Sequence, residues 1–154
     1  MLHAYLHGVG VEIMANSDNV LRGGLTSKHI DVPELMHVVQ FDALLDPIAP
    51  AENVVLSSHG IVPAEGIETV EYLTPVPEVR LSRSHLAPCR ESHLGIEGPF
   101  IVLVTEGTVT LTSRECPEGL SVSAGHAAWV GAWEDRPTIA TGENSATVFI
   151  ARVP

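Results

Sequence analysis

At 154 residues, 45% of them apolar and 18% charged, the chain has room for one domain or little more and is too apolar for intrinsic disorder. Its 19 acids against 8 lysines and arginines give a net charge of −11, which repels nucleic acid and anionic lipid and sets both aside as partners. No apolar run approaches the ~18 residues of a membrane span, Met1 leads into no basic-then-apolar leader, and Cys89 and Cys116 show no CxxC spacing, so a cytoplasmic protein with reduced thiols is expected.

Eleven prolines and thirteen glycines among short Val/Ile/Thr-rich runs predict an all-β chain with many turns. Residues 2–7 alternate well enough for a strand, Gly8-Val9-Gly10 reads as a turn, and Val11 to Ala15 reads as a second strand. Period-2 geometry then puts His3, Tyr5 and His7 on one face of the first strand. On the second, Val11 and Ile13 share one face and Glu12 and Met14 the other. Asn16-Ser17-Asp18-Asn19 is a polar turn cluster, and the short run Val20-Leu21-Arg22 ends at Gly23-Gly24, a pair able to take positive φ. A helix follows. Asp31 is its N-cap, Pro33 sits in the first turn, Glu34 stands three residues after the cap, and Leu35, Val38 and Val39 form its apolar stripe, with an end near Gln40.

The prolines of Asp46-Pro47-Ile48-Ala49-Pro50-Ala51 mark a connector, dividing the chain into residues 1–46 and 47–154. Beyond it, strands are predicted around 54–57, 67–73, 78–84, 100–105, 108–112, 120–123, 127–130, 138–141 and 147–151, with Glu106-Gly107 as a hairpin turn. No helix of consequence is expected after residue 46, and the pattern is that of an antiparallel β-sandwich or jelly roll.

The chemistry-bearing side chains gather in the first thirty residues. They are His3, a metal-ligand type; two acids, Glu12 and Asp18; Arg22; and the only lysine, Lys28. On a protein this acidic, Arg22 and Lys28 beside a Gly-Gly turn suit an anionic ligand. Blander roles stand beside these: Asp18 as an Asx-turn residue, Glu12 as an ion-pair partner, Lys28 as a solvated cation, Arg22 as a surface residue ending a strand, Tyr5 as a packed aromatic. In the second part, His85 and His93 fall in a Pro/Cys-containing loop and His126 in a turn. No HxH pair occurs, and Trp129 and Trp133 read as core and rim packing.

The stretch from His3 to about Phe41 resembles the C-terminal signature of type I mannose-6-phosphate isomerases, zinc enzymes of the cupin superfamily. Its most specific part is Ser17-Asp18-Asn19-Val20-x-Arg22-x-Gly24-x-Thr26-x-Lys28. Residues 47–154 resemble that family's C-terminal sandwich more loosely. The resemblance implies a cupin-type fold, with residues 1–46 as the last strands and helix of an incomplete catalytic cupin. It implies that His3 is one zinc ligand, the others (a Gln, a His and a Glu) lying upstream. Arg22 and Glu12 would be the catalytic residues, and Lys28, Asp18 and Tyr5 would contact a sugar-phosphate substrate.

The family's enzymes are more than twice as long, so the chain reads as a C-terminal part, a fragment or a truncated product. Alone it is expected to be inactive, to hold no zinc, and to pair its exposed strand edges in a homodimer or a swapped assembly. The alternative is a non-enzymatic cupin-like association module.

Overall fold

The structure, a computed structural model, describes residues 7–14, 16, 21–40, 50–53, 60–74, 76–135 and 137–153. The chain divides into two units, Met1–Ile48 and Ala49–Pro154. In the first, the described residues form one helix, α1 (Val32–Val38), and it begins as the sequence dictates. Asp31 is the N-cap, its side chain accepting from the Glu34 backbone N–H at 3.1 Å, and Pro33 falls in the first turn, where no backbone donor is missed. The helix ends one or two residues early because Val39 is already extended (φ −67°, ψ 134°). No residue of α1 is buried. Leu35 and Val39 are half-buried while Val38 is exposed, so the stripe is narrower than the spacing suggests.

The second strand expected at Val11 to Ala15 is not one: residues 11–14 carry no strand pairing. Its alternation is nevertheless present, with Val11 and Ile13 half-buried and Glu12 and Met14 exposed. An alternating face makes a strand only where a neighbouring backbone takes its N–H and C=O groups, and none of the described residues does so here. The first expected strand lies outside the described residues except for His7, which is exposed.

In the second unit the apolar/polar alternation becomes two antiparallel sheets. In chain order the strands are β1 (Ala51–Asn53), β2 (Ile67–Tyr72), β3 (Arg80–Leu86), β4 (Glu91–His93), β5 (Phe100–Glu106), β6 (Thr108–Thr112), β7 (Leu120–Ser123), β8 (Ala127–Val130), β9 (Thr138–Thr141) and β10 (Ala146–Arg152). One sheet has six strands in the order β1-β2-β3-β10-β5-β8, the other four in the order β4-β9-β6-β7. After β3 the chain passes repeatedly from one sheet to the other, which is the sandwich or jelly-roll pattern expected. Phe100, Val102, Val104, Val148 and Ile150 from the larger sheet meet Val109, Leu111, Val122 and Ile139 from the smaller, all buried.

Several expectations need correcting. Glu106-Gly107 is not a hairpin turn: β5 and β6 belong to different sheets, and Gly107 (φ 74°) is the corner between them. His85 and His93 do not share a loop but lie on β3 and β4, one in each sheet. Trp129 and Trp133 are not core: they are 59% and 71% exposed. Trp129 sits on the outer face of the edge strand β8, and the Trp133 ring covers the backbone of Gly131. The strand expected at 54–57 lies outside the described residues, while β1 and β4 were not expected.

Candidate functional site

Between Leu21 and Asp31 the backbone has no regular structure, and this segment carries Arg22 and Lys28. Two short-range bonds lead it into α1. The Lys28 backbone N–H donates to Thr26 Oγ1 at 3.2 Å, and Asp31 caps the helix. The positive φ anticipated for the Gly23-Gly24 pair is found at Gly24 (φ 151°), and the next residue, Leu25, is also left-handed (φ 52°). A leucine there is strained by roughly 1–2 kcal/mol, and Leu25 is almost fully exposed, so its own packing does not hold it.

Arg22 is half-buried, while Lys28 and Glu12 are exposed. Among the described residues, neither cation is paired with a carboxylate. Arg22 is thus a permanent charge partly withdrawn from water, a setting in which its attraction for an anion is screened less than on an open surface. His3, Tyr5 and Asp18 lie outside the described residues, so of the six site residues read from the sequence only these three are placed.

The described residues do not by themselves make a zinc site. Among them no three His, Cys, Asp or Glu side chains come together. The three described histidines of the sandwich stay apart at its surface. His85 Nδ1 is 3.4 Å from Thr147 Oγ1, His126 Nδ1 is 3.3 Å from the Ala124 carbonyl, and His93 is exposed on β4. The fully buried polar residues of the sandwich carry hydroxyls, two of which satisfy each other, Thr69 Oγ1 and Ser84 Oγ at 2.8 Å. Cys89 and Cys116 are free thiols, as expected. Sequence reading gave no site role to the residues, from Leu94 to Pro137, that line a small half-open cavity of the sandwich. Its lining comes from well-separated strands and loops, so no local spacing announces it.

No family model matches the chain. Curated relatives do. The mannose-6-phosphate isomerase of Salmonella typhimurium is 36% identical over 140 residues, covering 91% of this chain and 32% of that protein. The mannose-6-phosphate isomerase of Escherichia coli is 33% identical over 147 residues (96% and 34%), and that of Bos taurus 34% over 139 residues (86% and 30%). The chain belongs to the mannose-6-phosphate isomerase family, in its C-terminal part. It spans about a third of the length of the curated relatives it matches. A match over 96% of the chain leaves only a few residues out, so the isomerase likeness embraces the Glu12–Lys28 segment as well as the sandwich.

Solved structures similar to this chain include cupin-like folds. The polyketide cyclase RemF of Streptomyces resistomycificus superposes with a TM-score of 0.52 at 13% identity, covering 75% of this chain and 82% of that one. A cupin 2 conserved barrel domain protein of Leptotrichia buccalis gives 0.50 at 15% identity, over 60% and 43%. At such identities the likeness is one of fold alone, and it agrees with the all-β, cupin-type sandwich with one short helix.

Proposed function

We propose that this chain forms the C-terminal part of a zinc-dependent mannose-6-phosphate isomerase, interconverting mannose 6-phosphate and fructose 6-phosphate. The observation that carries the reading is a match to isomerases that spans nearly the whole chain and takes in the segment bearing Glu12, Arg22 and Lys28. Residues 1–46 close the catalytic cupin and residues 47–154 form a C-terminal sandwich with a structural role, set in the cytoplasm.

Aldose–ketose isomerisation moves a proton between C1 and C2 through an enediolate, so negative charge grows on the substrate oxygens. Arg22 meets that charge with a planar guanidinium that cannot be neutralised at any working pH. Glu12 is the carboxylate that carries or directs the proton. Lys28, Asp18 and Tyr5 hold the sugar phosphate, with the lysine offsetting part of its charge. His3 contributes one zinc ligand. One imidazole is too few for a filled site, and the described residues supply no others. The 154-residue chain by itself is therefore inactive, and its unpaired edges self-associate.

An isomerase assay on the purified chain, alone and mixed with a separately made upstream portion of a relative, tests this. No turnover alone and recovered turnover on mixing are expected. Full turnover by the chain alone would overturn the inactivity, and stable dimers with no recovery on mixing would favour an association module instead.

A further inference from the structure

β8 ends the six-stranded sheet, and among the described residues no strand pairs with its far side. The Val104 N–H donates to the His126 carbonyl at 3.0 Å, and antiparallel bonds recur at every second residue. Ala128 and Val130 therefore bond to β5, opposite Val102 and Phe100, while the N–H and C=O groups of Ala127 and Trp129 face outward. Sheets blunt such edges with charged residues or proline, and neither occurs from Ala127 to Trp133. The edge is apolar as well as open. Trp129 and Ile101, its register partner on β5, are exposed side by side. The exposed Trp133 ring lies over Gly131, two residues beyond Trp129.

We propose that β8 pairs antiparallel with β8 of a second copy of this chain about a two-fold axis, joining the two six-stranded sheets into one. The free backbone groups fix the register. With Ala128 at the axis, Trp129 faces the partner's Ala127 and Ala127 faces the partner's Trp129, so every outward N–H meets an outward carbonyl. The neighbouring registers are worse. Trp129 at the axis would set two indoles opposite each other and draw in the Gly131 carbonyl, which already accepts from the Glu134 N–H at 3.1 Å. Ala127 at the axis would need the Gly125 N–H, which donates to the Val104 carbonyl at 2.9 Å. In the favoured register large residues meet small ones. Trp129 packs over the partner's Ala127, and Gly131, under the Trp133 ring, faces the partner's Gly125. A buried tryptophan covers about 150–250 Å², so the exposed parts of Trp129 and Trp133 on both chains supply up to roughly half of the ~1,000 Å² a specific interface needs. Ile101 and the strand backbone add to it. Two chains of net charge −11 repel, so the dimer is a modest one that dissociates on dilution. The pairing gives the self-association stated above a definite edge, and because that edge belongs to the sandwich it holds with or without the isomerase reading.

Sedimentation equilibrium and amide hydrogen exchange on the 154-residue chain, over a range of concentrations, test the pairing. A monomer–dimer equilibrium is expected, with the Ala127 and Trp129 amides protected in the dimer and exchanging freely on dilution. Ala127→Pro removes an outward N–H and no bond to β5, and Trp129→Ala removes the indole. Each should weaken the dimer by at least about tenfold and leave the dilute monomer folded. If the proline variant unfolds, Trp129→Ala and the exchange pattern decide. A chain that is monomeric at every concentration, a dimer indifferent to these substitutions, or protection that appears elsewhere and spares Ala127 and Trp129 would overturn the pairing.

Discussion

Arg152 Nη2 lies 3.5 Å from Glu71 Oε2 on the inner face of the six-stranded sheet, although β2 and β10 are separated by β3. Register brings them together. Arg152 stands opposite Arg80, and Glu71 opposite Ser82, so both reach the same end of β3 from either side. Arg80 Nε adds a contact of 3.8 Å to the other carboxylate oxygen. With Arg152 only 7% exposed and Glu71 17%, the carboxylate joins two neighbouring guanidinium groups in a partly buried cluster. Glu71→Ala should therefore lower stability by about 2 kcal/mol in urea unfolding, short of the ~3–5 kcal/mol for a fully buried pair because the contacts are long and Glu71 is partly wet. Glu71→Gln should cost less. A loss under about 0.5 kcal/mol for the alanine variant would mean the cluster behaves as a solvated surface pair.

Two glycines with nearly the same backbone separate conformational strain from steric exclusion. Gly107 (φ 74°) turns the chain from β5 to β6, and a Cβ built there would come 2.2 Å from the Ser145 carbonyl oxygen. Gly125 (φ 82°) turns the chain from β7 to β8, and a Cβ there meets nothing within 4 Å. Gly125→Ala should cost about 1 kcal/mol, the strain of a left-handed alanine. Gly107→Ala carries the same strain and must also push aside the backbone ahead of β10, so about 3 kcal/mol or more, or failure to fold, is expected. Equal melting temperatures for the two variants would show that the β5–β6 corner yields freely.

Legibility followed the range of the interaction that decides each feature. β6, β7, β8 and β9 have the bounds their alternation suggested, because burial of one face of each is written in residues two apart. β1 and β4, three residues each, are too short for any period to show. The partner of a strand was not legible either. Glu106-Gly107 has the chemistry of a hairpin turn, yet β5 pairs with β10 and β8, and β6 with β7 and β9. Of the site, the Arg22–Lys28 motif could be read because it lies in one stretch of chain. The Ser113–Glu134 bond could not, since it joins loops on either side of β7 and β8.

Glu115 gives the fold a predictable response to acid. Its carboxylate accepts from the Asp135 backbone N–H at 2.8 Å, and that bond, ahead of smaller contributions from Ser113 and Arg114, holds its pKa below the ordinary value. A lowered carboxyl pKa means that the folded state prefers the ionised form. The resulting stability is present above the unfolded carboxyl's pKa, about 4.3, and fades as pH falls through the lower folded value. Glu115→Gln should therefore be less stable than the parent near pH 7, with the gap closing toward pH 3. Parallel unfolding curves at the two pH values, offset by a constant amount, would show that the loss comes from packing and not from charge.

On the proposed reading, Arg22 and Lys28 should fail in different ways in the complete isomerase. Arg22 acts on charge that appears only as the enediolate forms, so Arg22→Ala should reduce kcat by roughly 10²–10³, the range for removing one such donor, with a smaller effect on KM. Arg22→Lys should rescue little, because a compact ammonium cannot offer two parallel N–H groups. Lys28 is exposed and offsets substrate charge equally before and during reaction, so Lys28→Ala should raise KM and spare kcat. Its effect should also shrink as salt is added, since an exposed cation is screened. Steady-state kinetics at low and high ionic strength distinguish the two roles. A loss below tenfold for Arg22→Ala would remove Arg22 from the chemistry, and a kcat effect confined to Lys28 would exchange the assignments.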